Sequence, residues 1–486
     1  MSRRITIDPI TRLEGHGKIE IFLDEKGDVE RAFLQVPELR GFEQFAIGRP
    51  VEEMARITPR ICGVCPTAHH MAATKAADAV FQVEPTVTAR KLRELIYNAF
   101  FVEDHTLHFF FLGGPDFVVG PQAPPAERNI LGVIGKVGPE VGIRVIRMRE
   151  EVREIMTYLC GKAIHPVCGL PGGVAKGLDE AHRLQFLATA RAAVEFGEFA
   201  LQVFDDIVLK NKAYVEVVTG EAYRIKTYYM GMVNARNQVE FYDGPLRVVD
   251  PEGREIAKFH PADYLDHIAE HVEPWTYVKF PFLKKIGWKG FTEGADSGVY
   301  RVAPLARLNA ADGMQTPRAQ THYDRMYEVL GGKPVHHTLA FHWARLIEAL
   351  QAAERMVELL EDPDIVGTDL RNIPTRTPTE GVGIVEAPRG VLIHHYRTDD
   401  KGLMTMANLI VATIGNAAAI NMSIEKAAKV FIKGGQVSEG LLNMVEMAFR
   451  PYDPCHGCGT HAWPGGGPLI VRIHDHSGNR IAELRR

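Results

Sequence analysis

The sequence predicts an α+β, mainly helical protein, with a central bundle of long helices, small β elements near the termini and a mixed peripheral insertion. Three observations carry this. Long stretches repeat apolar residues at helical spacing. Short alternating runs stand near both ends of the chain. Between the helical stretches lies a region broken into short aromatic pieces by glycine and proline. At 486 residues, length allows either several domains or one large interleaved domain, and the chain is read as the latter, 1–486.

From Ile5 to Val36 apolar residues alternate around the turn Glu25-Lys26-Gly27-Asp28, placing Ile19, Ile21 and Leu23 on one face of a hairpin. This β region occupies 1–60 and leads into the first cysteine pair. Residues 87–112, 139–160 and 178–209 have helical spacing and make 61–210 a helical core, punctuated by Pro115 and the Pro/Gly-rich run 120–125. The stretch 211–335 is the mixed α+β insertion. Helical spacing returns over 336–361 and 402–432, so 336–461 completes the helical core and carries the second cysteine pair. Residues 380–397 and 468–482 read as strands, the latter interrupted by the turn Asp475-His476-Ser477-Gly478-Asn479. The last segment, 462–486, is a C-terminal extension.

Composition narrows the function classes. A hydrophobic share of 46% and a charged share of 24% are those of an ordinary globular protein. With 56 basic against 61 acidic residues, net charge −5 and no long basic run, a nucleic-acid partner is not expected. The start, MSRRITIDP, lacks the apolar core of a secretory signal. The longest mainly apolar segment, Met406 to Met422, is interrupted by Asn408, Asn416 and Asn421, which argues against a membrane span. A cytoplasmic protein is the expectation. Six cysteines are too few for a disulfide scaffold, and four of them form two Cys-x-x-Cys pairs, which in a reducing compartment point to metal or redox chemistry.

The pairs are Cys62-Gly63-Val64-Cys65 and Cys455-His456-Gly457-Cys458. Two intervening residues let both sulfurs of a pair reach one soft metal ion, and a glycine eases the turn. Most of the chain separates the two pairs, whereas a zinc ribbon keeps its pairs within a few tens of residues. Spacing alone leaves structural zinc, two unrelated thiol pairs and a catalytic metal open.

The surrounding words are more specific. Arg60-Ile61-Cys62-Gly63-Val64-Cys65 followed by His69, and Asp453-Pro454-Cys455 through Cys458 followed by His461, closely resemble the two signature motifs of nickel–iron hydrogenase large subunits. Thr11-Arg12-Leu13-Glu14-Gly15-His16, Arg40-Gly41-Phe42-Glu43 and Glu386-Ala387-Pro388-Arg389-Gly390 match three further family motifs, all in the family's order. The resemblance implies the catalytic subunit of a hydrogenase that splits dihydrogen reversibly and heterolytically. It implies nickel on Cys62, Cys65, Cys455 and Cys458, with Cys65 and Cys458 bridging to an iron that carries carbon monoxide and cyanide. It also implies roles for other side chains. Glu14 would take the proton from Cys455, Arg389 would hang over the open metal position with Asp116 and Asp453 as carboxylate neighbours, and His69 would hydrogen-bond a bridging thiolate. Glu43 and His461 would hold a separate magnesium or iron ion.

Four cysteines in the site leave too few for an iron–sulfur cluster, so an iron–sulfur small subunit is expected, as the family has, with further flavin or iron–sulfur electron-transfer subunits of the cytosolic multimeric group. His165-Pro166 and Gly169-Leu170-Pro171-Gly172-Gly173 resemble a segment facing that partner; without Gly-x-Gly-x-x-Gly or Walker spacing the loop is no phosphate cradle. His105 and His108, beside Phe109, Phe110 and Phe111, read as packing residues, and Cys160 and Cys168 as ordinary buried thiols. In the family a maturation peptidase cuts after the residue matching His461, which makes 462–486 a removable extension. Two alternatives remain: a silent homologue resembling the quinone-site subunit of respiratory complex I, against which all four cysteines argue, and a zinc-stabilised scaffold.

Overall fold

The computed structural model describes residues 4–461 and the strands Ile470–His474 and Arg480–Arg485. The extension's first part, 462–469, and the expected turn at 475–479 lie outside the described residues.

The N-terminal β region is a three-stranded antiparallel sheet of β1 (Arg4–Ile7), β2 (Lys18–Leu23) and β3 (Val29–Gln35). Ile19, Ile21 and Leu23 are all buried from β2, as the alternation requires. The helices α1 (Pro66–Val80), α2 (Val87–Leu107), α3 (Pro139–Cys160), α4 (Glu180–Phe204) and α5 (Phe341–Glu361) follow in chain order. α5 packs on both α4 and α2, and α3 packs on α2. From Phe341 to Glu354 α5 is buried on every side, so that even Arg345, Glu348 and Gln351 are enclosed with Trp343 and Leu350. A helix covered all round belongs to the interior. Of its buried charges, Glu348 accepts from Arg307 at 2.6 Å, and Arg345 donates to the Pro451 carbonyl at 3.0 Å.

The insertion contains a four-stranded sheet with Tyr228–Met232, Leu246–Val249 and Glu255–Phe259 antiparallel and Tyr300–Arg301 parallel at one edge. Towards the C-terminus, β4 (Glu380–Ala387), β5 (Gly390–Thr398) and β6 (Met404–Ile410) form an antiparallel sheet on which α1 lies. Buried Ala72, Ala73 and Ala76 face this sheet with little side chain, and Gly383 of β4 brings the backbones together. A Cβ at Gly383 would stand 2.2 Å from the Ala72 carbonyl oxygen.

The helix expected over 402–432 is in fact two elements. Residues 404–410 form β6, and the helix α6 occupies only Ala417–Phe431. The Met, Ala and Leu content favours helix, but pairing with β5 from Ile393↔Ile410 to Thr398↔Met404 overrides it. The long spans at 87–112 and 178–209 also end differently, as α2 and α4 pass into π-helical turns at His108–Gly113 and Asp205–Leu209. Among the described residues no helix is long and apolar enough to cross a membrane.

The two ends of the chain interleave at one place. The His456 amide donates to the Glu14 carbonyl at 3.0 Å, Arg40 N–H to Thr460 O at 2.8 Å, and Phe42 N–H to His461 O at 2.8 Å. These backbone bonds carry the second cysteine pair onto the first.

Candidate metal centre

Cys62 follows the 3₁₀ turn Thr58–Ile61, and its sulfur accepts the N–H groups of Val64 at 3.2 Å and Cys65 at 3.0 Å. Cys65 stands at the N-terminus of α1, where the helix dipole favours an anionic sulfur. Cys455 caps the turn His456–Gly459 and Cys458 lies within it, and Cys455 N–H is held by Thr413 Oγ1 at 3.1 Å. The Sγ atoms of Cys62 and Cys455 are 3.4 Å apart, as are those of Cys65 and Cys458. All four buried sulfurs lie within 4.8 Å of one another.

This donor set fits a soft metal. Burial pushes the Cys455 and Cys458 thiols well up, and the neighbouring sulfurs add to the effect at Cys455. Four anionic sulfurs cannot share so small a low-dielectric volume unless a cation is among them.

Glu14 reaches the cluster from the N-terminal segment. Its Oε2 accepts from the Cys455 thiol and from Gly457 N–H, each at 2.9 Å. Gly457 is needed there because a Cβ would stand 2.1 Å from Arg40 Nη2 and 2.7 Å from Glu14 Oε1. Glu14 is half-buried, and its outer side lines a surface groove with His16, Glu38 and Arg40. One carboxylate therefore touches both a buried sulfur and an open groove.

Arg389, buried in the turn between β4 and β5, bonds Asp104 Oδ2 at 3.1 Å and Asp453 Oδ2 at 2.8 Å. Burial opposes its charge, but Asp104, Asp453, Cys65 and Cys455 more than offset this. Asp116 is not its neighbour. Asp116 instead accepts from Arg12 at 2.5 Å and from Arg450 at 3.1 Å, pinning the N-terminal segment that carries Glu14. The carboxylate opposite Asp453 is Asp104 of α2, whose pKa burial pushes up to about 7.

His69 Nε2 lies 3.5 Å from Cys458 Sγ, and its Nδ1 faces His394 Nε2 at 3.1 Å, while His394 Nδ1 faces the Tyr396 hydroxyl at 2.6 Å. If His69 donates to the sulfur, His394 must donate to His69 and Tyr396 to His394. Burial lowers the His69 pKa to about 4, consistent with a neutral ring. Sequence reading missed His394 and Tyr396, although their i, i+2 spacing on a strand was a signal that they share a face.

At His461, Nδ1 faces the Cys458 carbonyl at 2.6 Å and Nε2 the Leu409 carbonyl at 2.7 Å, with Glu43 Oε1 at 3.7 Å. A neutral imidazole with its proton on Nδ1 would turn the Nε2 lone pair towards a carbonyl oxygen. A cation bound by Nε2, Leu409 O and Glu43 removes that conflict, so these residues fit one. Burial would raise the Glu43 pKa, but His461, Lys279 and the Leu409 N–H together lower it.

The remaining candidates lie off the centre. His105 pairs with Glu348 at 3.0 Å, and His108 with the Arg450 carbonyl at 2.9 Å. His165 is in the left-handed backbone region, φ 59°.

Known proteins share this arrangement of sequence and fold. The family described as nickel-dependent hydrogenase matches residues 40–129 and 142–461, and one described as HoxL-like matches 4–39. The chain is 50% identical over 484 residues to an F420-non-reducing hydrogenase iron-sulfur subunit of Archaeoglobus profundus, covering 99% of each chain. It is 38% identical over 501 residues to the NAD-reducing hydrogenase HoxS subunit beta of Cupriavidus necator, covering 100% of each. Its fold matches the crystal structure of an NAD+-reducing NiFe hydrogenase in the H2-reduced state with a TM-score of 0.89 and 39% identity, over 94% of this chain and 99% of that one.

Proposed function

The chain belongs to the nickel-dependent hydrogenase family as a catalytic large subunit, and from that premise we propose how its residues divide the work. Cys62, Cys65, Cys455 and Cys458 would hold nickel, with Cys65 and Cys458 shared with an iron carrying carbon monoxide and cyanide. When bound, this pair supplies the heterolytic cleavage of dihydrogen.

The protein's own part is to remove the proton. Cys455 Sγ takes it first and hands it to Glu14 Oε2, and the observation carrying this assignment is their 2.9 Å contact. From Glu14 the proton reaches the groove beside His16 and Glu38. Arg389, set by Asp104 and Asp453, supplies a fixed positive charge near the sulfurs, while His69 orients Cys458. Glu43, His461 and the Leu409 carbonyl would hold a magnesium or iron ion, which would tie the C-terminal segment to the N-terminal one. The interleaving of both ends at the centre supports a single domain over 1–486.

Electrons leave through an iron–sulfur small subunit, because only Cys160 and Cys168 remain in this chain and a cluster needs four ligands. Higher identity to the F420-non-reducing relative than to the NAD-reducing one favours a cytoplasmic multisubunit hydrogenase that does not reduce F420. The infrared spectrum and metal content of the purified enzyme test the site. Carbonyl and cyanide bands together with nickel and iron are expected, and zinc alone without those bands overturns the assignment.

A further inference from the structure

Cys160 and Cys168 are not isolated thiols. Cys160 ends α3, Cys168 stands just before the short strand Gly169–Leu170, and Val167 N–H donates to Cys160 O at 3.2 Å. Residues 161–167 thus leave and rejoin the protein at one point. The two sulfurs, each 2% exposed at the residue level, lie 3.5 Å apart, whereas Gly161, Lys162, Ile164 and Val167 are exposed. We propose that Cys160 and Cys168 are a peroxide-reactive dithiol that closes reversibly into a disulfide at the base of loop 161–167.

The neighbouring histidine argues against a metal here. His70 Nδ1 donates to the Ala55 carbonyl at 2.6 Å, leaving the lone pair on Nε2, and that lone pair accepts Gly169 N–H at 2.8 Å. Cys168 Sγ lies 3.5 Å from the same nitrogen. The imidazole is already committed, so it is a poor third ligand. The two thiols are also unequal. The hydrogen bond with Cys160 holds the Cys168 thiol well below its ordinary value, and the same contact, with burial, pushes Cys160 well above. Cys168 is the nucleophile and Cys160 the resolving thiol.

The chemistry balances with hydrogen peroxide as oxidant. The Cys168 thiolate attacks one peroxide oxygen, the O–O bond breaks, and the departing hydroxide takes a proton to become water. Cys160 then attacks the sulfenic sulfur, the S–O bond breaks, and a second water leaves as the S–S bond forms. Two thiols lose two electrons and peroxide gains them. The consequence is mechanical. Lys162 and Val167 line a surface cavity with Arg40, Phe42 and Arg60, so the disulfide fixes one wall of a cavity two residues from Cys62.

Trypsin separates the cysteines at Lys162, into peptides 154–162 and 163–176. The intact enzyme complex would be reduced, exposed to graded hydrogen peroxide, alkylated under denaturing conditions and digested. The expected result is a linked pair of these peptides that dithiothreitol dissolves. In C160S, a dimedone adduct should form on Cys168, and in C168S none should form on Cys160. Both cysteines still singly alkylated at peroxide doses that oxidise the partly exposed Met406 and Met444 would overturn the proposal, as would a dimedone adduct on Cys160 instead of Cys168.

Discussion

Glu14 Oε2 accepts two hydrogen bonds at 2.9 Å, from a thiol that must lose a proton and from an amide that never does. Glu14→Gln keeps an oxygen able to accept both, so the site should assemble, but an amide cannot carry the proton onward. Turnover and hydrogen–deuterium exchange with water are expected to fall by roughly 100-fold or more, with nickel, iron and infrared bands retained. Unchanged exchange would remove Glu14 from the path. Cys455→Ser and Cys65→Ser should each abolish turnover, because a hydroxyl is a harder and less acidic donor than a thiol, and metal analysis of the folded variants should show depleted nickel. The thiol pairs, Glu14, Arg389 and Asp453 were legible because each sits inside a short, order-specific motif. Asp104 was not legible: on a helix, an aspartate facing a buried arginine differs from a surface aspartate only in three dimensions. Asp116 stood in a plausible motif, and only the fold reveals that Arg12 and Arg450 claim it.

At the scale of elements, the site depends on how closely α1 approaches the sheet that carries Arg389. Gly383 and the α1 alanines let the helix sit almost on the strand, with no room at Gly383 for even a methyl group. Gly383→Ala should push α1 outward and cost about 1–3 kcal/mol, read as a lower Tm. Because Cys65 caps α1, nickel occupancy should fall with it. A variant of unchanged Tm and full metal content would show that the strand adjusts instead. Helices such as α3 were legible from their period alone, and the N-terminal sheet from its alternation. The strand β6 was hidden inside an apparent helix because its composition suits both. Its one clear signal was Asp399-Asp400-Lys401-Gly402, where Gly402 has φ 80° and Asp399 N–H donates to Leu403 O at 2.9 Å, a turn that no helix contains.

The whole molecule closes on the segment 455–461, which binds the N-terminal segments at Glu14, Arg40 and Phe42; periodicity and composition say nothing of contacts over four hundred positions apart, and only the paired motifs pointed to them. That closure bears on the extension 462–486. His461 is fully buried, with both ring nitrogens facing carbonyl oxygens and Glu43 nearby. A chain that continues beyond a buried residue constrains how that residue can settle, and cutting after His461 removes the constraint. The expected order is metal insertion and then cleavage after His461, with the Glu43–His461 contact already made in the uncut chain. Intact mass measurement of active enzyme should give a chain ending at His461, while a metal-free preparation should retain residues 462–486. His461→Ala, by opening the Glu43 site, should leave protein that is cut less completely and loses nickel more readily to a chelator. Active, nickel-loaded enzyme whose mass includes Arg486 would show instead that the centre closes around His461 with the extension still attached.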